Sequence, residues 1–150
     1  SFARHSRHRN LLVIKHHPAD RPYRDYTALI EKIAIAHRIR DRVLYIHDLH
    51  LPTLLRHARG TVLMNSTTGL QSIHHGTPVI VLGRAIFKLD GLVARGGLDD
   101  FWRHPPEVDL KLYHAFRTWL INNNQFNGNF YRRIPGLKNP TGVVWHPINN

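Results

Sequence analysis

TVLMNSTTGLQSIHHGTPVIVLG, residues 61–83, decides the fold. Thr61 to Ser66 begins apolar and ends polar, as a short strand buried within a parallel sheet does. The following TTGLQSIHHG reads as a helix, stopped at Gly76, because glycine takes most readily the left-handed backbone that closes a helix. Pro78 to Gly83 is a further short apolar run. Strand, helix and strand in this order form one unit of an α/β sheet.

The same cycle occurs upstream. Leu11 to Ile14 is an apolar run that ends in the polar tip Lys15, His16, His17, Pro18. From Tyr26, apolar residues recur at Leu29, Ile30, Ile33, Ala34 and His37, the spacing of an amphipathic helix, with Asp25 as its expected N-cap. Val43 to Asp48 is a second strand. Pro52 opens a short helix through Leu54, Leu55 and Ala58 that Gly60 ends. The pattern predicts four parallel strands alternating with three helices, a doubly wound, Rossmann-like sheet flanked by helices. Downstream the regularity fades. Phe87 to Gly97 reads as a loop, Asp99 to Arg103 and Val108 to Leu120 as helices. INNNQFNGNFYRR reads as a polar turn or crossover, and PTGVVWHPINN as a tail. Residues 1–10, polar and basic, read as a linker or frayed end.

The chain has 150 residues, the length of one domain, so residues 11–150 are expected to share one core. Hydrophobic residues make up 42%, which argues against wholesale disorder, and no run approaches the ~18 apolar residues of a membrane span. Cysteine is absent, which excludes disulfides, thiolate metal sites and a cysteine nucleophile and is compatible with a cytoplasmic setting. Lys and Arg number 21 against 10 Asp and Glu, a formal charge of +11, and 16 of the 21 are Arg. Such a balance suits phosphate-bearing partners: nucleotides, nucleic acid or anionic lipid headgroups.

In open α/β sheets, ligands bind beyond the carboxyl ends of the strands. Those ends carry Lys15, His16 and His17; His47 and Asp48; Asn65, Ser66, Thr67, Thr68 and Gly69; and Gly83 and Arg84. The Asn-Ser-Thr-Thr-Gly turn offers hydroxyls and backbone N–H groups at a helix start, where an anion is favoured. Ser66 is expected to accept the Gly69 amide, leaving Thr67 and Thr68 to meet a phosphate; the plainer reading is that Ser66 only caps the helix. His17, stiffened by Pro18, can donate to a phosphate oxygen or protonate a leaving group, or serve only structure.

Other chemistries lose ground. Neither GxxxxGK[ST] nor GxGxxG occurs, so kinase-type and dinucleotide sites are not indicated. HExxH is missing, and His16-His17 and His74-His75 are adjacent pairs that cannot chelate from one helix face, so no metal is expected. No GxSxG elbow supports a Ser-His-Asp hydrolase. Aromatic residues do not interleave with basic ones as on an RNA-binding sheet, which lowers a nucleic-acid reading.

VIKHHP, YIHDLHLPTLLRHARG, VLMNSTTGLQSIHHGTPVIVLGRAIF, DGL, LDDFW and NGNFY occur in this order from Leu11 to Tyr131, and together they resemble the capsule polysaccharide biosynthesis and export proteins of Gram-negative bacteria. The resemblance implies a capsular Kdo transferase of the GT-B type, two Rossmann-like domains facing a cleft. This chain would be the C-terminal, CMP-Kdo-binding half. The chain starts at Ser1 and its sole methionine is Met64, so it reads as an excised piece; the resemblance implies that an N-terminal acceptor domain lies outside it and that the fragment is inactive alone.

Carried over by motif, His17 would contact the CMP phosphate as the candidate catalytic residue. Lys15, Ser66, Thr67, Thr68 and Gly69 would bind that phosphate, and His47, Asp48, Asn65 and Gly83 would line the nucleotide pocket. The resemblance implies no bound metal or other cofactor, a lipid-linked saccharide acceptor, capsule assembly proteins as partners, and a cytoplasmic location peripheral to the inner membrane. It also implies that the acidic catalytic group lies in the N-terminal domain, so Asp90 of the Asp-Gly pair is on the wrong half. Two alternatives stand beside this reading: a basic α/β module for nucleic acid, and a non-catalytic capsule export or assembly factor with the transferase fold.

Overall fold

The computed structural model describes residues 1–17, 20 and 23–124. The chain divides into two compact units, Ser1–Leu110 and Lys111–Asn150, where length alone led to an expectation of one domain.

The first unit is α/β. Its strands are β1 (Leu12–Lys15), β2 (Val43–Ile46), β3 (Thr61–Leu63) and β4 (Val79–Val81). Its helices are α1 (Phe2–His5), α2 (Thr27–Ala36), α3 (Leu51–His57), α4 (Thr68–His74) and α5 (Leu98–Arg103). All pairing between these strands is parallel, but in two sheets rather than the single four-stranded sheet expected. β1 pairs with β2, Leu12 opposite Val43, and β3 pairs with β4, Thr61 opposite Val79. The difference has a physical reason. Periodicity marks where a strand is, whereas neighbour choice depends on how crossover helices pack. β4 alone is buried at every position.

Helix ends follow the sequence closely. Gly76, with φ of 74°, closes α4: its N–H donates to Ile73 and that of Thr77 to Ser72. The same Schellman pairing closes α2, Arg38 to Ile35 and Ile39 to Ala34, but there the left-handed residue is Arg38, φ 55°. The N-cap of α2 is Tyr26 rather than the expected Asp25, which lies one residue earlier and still serves the helix start, its carboxylate accepting the Thr27 N–H at 2.9 Å and the Thr27 hydroxyl at 2.6 Å. Thr77 is buried and donates to the Leu55 carbonyl at 2.6 Å, satisfying the last turn of α3.

Residues 1–10 are not a frayed end. Phe2 is buried, sets its ring edge-on to Trp102 with centroids 5.3 Å apart, and lies under the Arg42 guanidinium at 4.8 Å. His5 meets Asp99 at 3.1 Å, and Arg42 donates to the Asn10 carbonyl at 3.1 Å and the Arg7 carbonyl at 2.9 Å. A sequence can look polar and still anchor through one buried aromatic ring. Gly60 owes its place to α5 rather than to ending α3, because a Cβ there would stand 2.6 Å from the Phe101 ring.

In the second unit, α6 runs Leu110–Asn124, later to start and longer than the expected 108–120. Tyr113 and Leu120 are buried, whereas Leu112 and Trp119 are exposed. Burial pushes the Tyr113 phenol up from its ordinary value, and the charge of Arg117 works the other way. Pro18, the NGNFY motif and the tail beyond it lie outside the described residues.

Candidate functional site

The structure gathers the predicted residues into two groups, one at the carboxyl end of each strand pair. At the first, the ladder continues one step past β1, with the His16 N–H donating to the Ile46 carbonyl at 2.8 Å. Successive side chains of an extended chain leave on opposite sides. His16 therefore turns inward, 4% exposed, and His17 turns out to solvent.

Four rings cluster at this strand end, of which only His16 is buried. His16 lies 5.5 Å from Tyr45 in a stacked arrangement, 5.4 Å from Tyr26 and 5.0 Å from His47; Tyr45 and His47 are 4.9 Å apart. Tyr45 Oη meets His16 Nδ1 at 2.5 Å. His16 Nε2 faces Asp20 Oδ2 at 3.5 Å without a hydrogen bond, and that carboxylate oxygen accepts the Tyr26 hydroxyl at 3.0 Å. His47, itself one of the four rings, is exposed, as is the next residue, Asp48. Lys15 Nζ bends back toward the His16 carbonyl, 3.5 Å away. The hydrogen bonds from Thr27 hold the Asp25 carboxyl below its ordinary value of 3.8; slight desolvation opposes this, and the charges of His47 and His16 assist it.

Sequence reasoning placed His16 at the strand end without giving it a role, and it missed Tyr45, Asp20 and Tyr26. A signal existed: His16 falls two residues after Ile14, on the same face of an extended chain. Reading the strand as buried on both faces removed that alternation from view.

At the second end, Asn65, Ser66 and Thr67 are exposed and Thr68 is half-buried. The expected bond from the Gly69 amide to the Ser66 side chain is corrected here. Thr67 is helical, φ −62° and ψ −13°, which winds the turn tightly. Ser66 Oγ consequently accepts the Thr68 N–H at 3.2 Å and donates to Thr68 Oγ1 at 3.0 Å. The Gly69 N–H reaches the Ser66 backbone carbonyl instead, at 3.1 Å. Ser66 is thus the organiser of this turn, and the Thr68 hydroxyl, which accepts from it, keeps its own proton to donate.

Both glycines of this end are required by close packing. A Cβ on Gly69 would stand 2.5 Å from the ring of the buried Phe87, and one on Gly83 would stand 2.8 Å from the Met64 carbonyl oxygen. The Gly83 N–H already donates to that oxygen at 3.0 Å. Lys88, which sequence reasoning did not single out, donates to the Gly83 carbonyl at 3.0 Å and so brings a cation to the β4 end.

A cleft of about 450 Å³ lies elsewhere, at the amino end of β4, lined by Pro78, Val79, Leu92, Ala94, His104 and Glu107. None of the candidate residues lines it. Among the described residues no group of three or more His, Asp or Glu is arranged to hold a metal ion. Among them also, no helix is long and apolar enough to cross a membrane.

Residues 1–131 match the family described as capsule polysaccharide biosynthesis protein, and the chain belongs to that family. The resemblance read from Leu11 to Tyr131 is borne out, and the match includes the amino-terminal helix as well. Among individual relatives, the capsule polysaccharide modification protein LipB of Neisseria meningitidis (serogroups A and B) is 43% identical over 135 residues, covering 89% of this chain and 32% of LipB. The capsule polysaccharide export protein KpsS of Escherichia coli is 40% identical over 131 residues, covering 87% of this chain and 34% of KpsS. The chain therefore spans about a third of the length of these curated relatives. No solved structure matches it.

Proposed function

We propose that this chain is the nucleotide-sugar-binding part of a capsular Kdo transferase of the GT-B type, Rossmann-like in descent, which takes CMP-Kdo and acts on a lipid-linked saccharide. The observation that carries the reading is the placement of polar candidates at the carboxyl ends of parallel strands, the place where α/β proteins bind ligands. His17, exposed beside a buried imidazole, is the donor to the departing CMP phosphate. Stabilising that phosphate lowers the barrier to breaking the glycosidic C–O bond. Thr67, with the turn built by Ser66 and Thr68, binds phosphate oxygens, and Lys15 and Lys88 supply positive charge. His47, Asp48 and Asn65 contact the nucleoside. The partner half of the cleft and its acidic group belong to sequence outside this chain. The excess of Arg draws the protein to the anionic inner leaflet, where its acceptor and capsule assembly partners are.

Calorimetric titration of CMP into the full-length protein tests the reading. Saturable binding that CMP-Kdo competes away is expected, and absence of CMP binding sinks it. A second reading is favoured by the word "export" in the name of the KpsS relative: a capsule factor that keeps the fold without transfer. Full-length protein that binds CMP-Kdo and transfers no sugar to a lipid-linked acceptor selects it.

A further inference from the structure

We infer that His16 is the positioning residue of this strand end, aiming both His17 and His47 through its hydrogen bond to Tyr45 and its approach to Asp20. The inference rests on the nucleotide-binding reading for its consequence and on geometry for its substance. His16 is 4% exposed, so its ring cannot itself reach a ligand of any size. It nevertheless adjoins two exposed imidazoles, those of His47 and His17. Its backbone N–H extends the β1–β2 pairing to Ile46, and its Nδ1 meets the β2 residue Tyr45. Its ring lies 5.0 Å from that of His47, and the next residue in the chain is His17.

With the Tyr45 hydroxyl assigned as donor to Nδ1, the proton sits on Nε2, which faces Asp20 Oδ2 at 3.5 Å without a hydrogen bond. Asp20 in turn is tied by its own N–H to the His17 carbonyl at 3.1 Å and by its carboxylate to Tyr26. Tyr45, His16, Asp20 and Tyr26 thus form a chain of polar contacts running beneath the exposed imidazoles. An inward-facing apolar residue at this position would pack against the same rings but would join neither the Tyr45 hydroxyl nor the Asp20 carboxylate. The polar choice links Tyr45 near the end of β2 to Asp20.

Two substitutions in the full-length protein separate positioning from mere packing. Tyr45→Phe keeps the stacked ring and removes one hydroxyl. It should raise the CMP dissociation constant about 3- to 10-fold, the scale of one hydrogen bond, and speed amide exchange at His16 and Asp20. His16→Ala should weaken CMP further, and His16→Asn, whose amide oxygen falls near the Nδ1 position, should recover much of that loss. A Tyr45→Phe protein with lowered melting temperature but unchanged CMP affinity and unchanged exchange overturns the inference and leaves His16 a core residue. Should the unaltered protein bind no CMP, the nucleotide reading fails on its own. Exchange at His16 and Asp20 then decides the inference: faster in Tyr45→Phe upholds the hold on the strand end, and unchanged rates remove it.

Discussion

The two strand ends are built by opposite means. At the β1–β2 end, side chains hold one another: an imidazole, two phenols, a carboxylate and a second imidazole interlock around His16. At the β3–β4 end the backbone does the holding. Gly69 and Gly83 let a ring and a carbonyl approach where any Cβ would collide, and the turn closes on the hydroxyl of Ser66. The first arrangement is adjustable, because side chains can re-pack around a changed neighbour. The second is less so, because at Gly83 the close neighbour is a backbone carbonyl, although at Gly69 it is the Phe87 side chain. The adjustable end carries ring groups able to move protons, and the rigid end carries hydroxyls suited to a fixed anion.

The sharpest way to break this contrast is at His17. Its side chain is exposed, so His17→Ala in the full-length protein should cost on the order of 10²–10³ in transfer rate with little change in melting temperature. A large fall in melting temperature with activity per folded molecule preserved would move His17 to a structural role. Gly69→Ala and Gly83→Ala should do the reverse. Each should lower unfolding free energy by about 1–3 kcal/mol, measured by denaturant titration, because the added methyl meets Phe87 in one and a backbone carbonyl in the other. Phe87 is a side chain and Met64 O is not, so trimming Phe87 to Leu should offset part of the Gly69→Ala loss and none of the Gly83→Ala loss. Equal behaviour of the two pairs would erase the distinction between a yielding and an unyielding neighbour.

The smallest effect is expected from pH. The Asp25 carboxyl is held below its ordinary value in the folded protein by Thr27, so its contribution is present above the unfolded-state value and is lost as pH falls through the folded one. Asp25→Asn should therefore lower the melting temperature slightly at neutral pH, with the difference from the unaltered protein vanishing under strongly acidic conditions. A difference that persists in acid would show that the side-chain shape, not the charge, serves the start of α2.

Much of this molecule is legible without coordinates, and the particular failures are instructive. The strand positions, the stop at Gly76, the service of Asp25 to α2 and the polar residues at strand ends all follow from local rules acting over a few neighbouring residues. Ser66 was recognised as a capping residue, but its partner was misplaced by one amide, because Thr67 adopts a helical backbone that residue type alone does not specify. Residues 1–10 were misjudged because one Phe among basic residues gives no periodicity, yet Phe2 finds Trp102 a hundred positions away.

What the amino-acid order determined by itself is the βα alternation, the polar rim at the carboxyl ends and membership of the capsule polysaccharide biosynthesis family, each a matter of residue types at short spacing. What only the tertiary structure decided is which strands pair, which of two adjacent histidines is buried, and why Gly60, Gly69 and Gly83 are glycines. The physical reason is common to all three. Pairing, burial and close approach are contacts between residues distant in sequence, and their free energy depends on which surfaces meet, a quantity no local pattern carries.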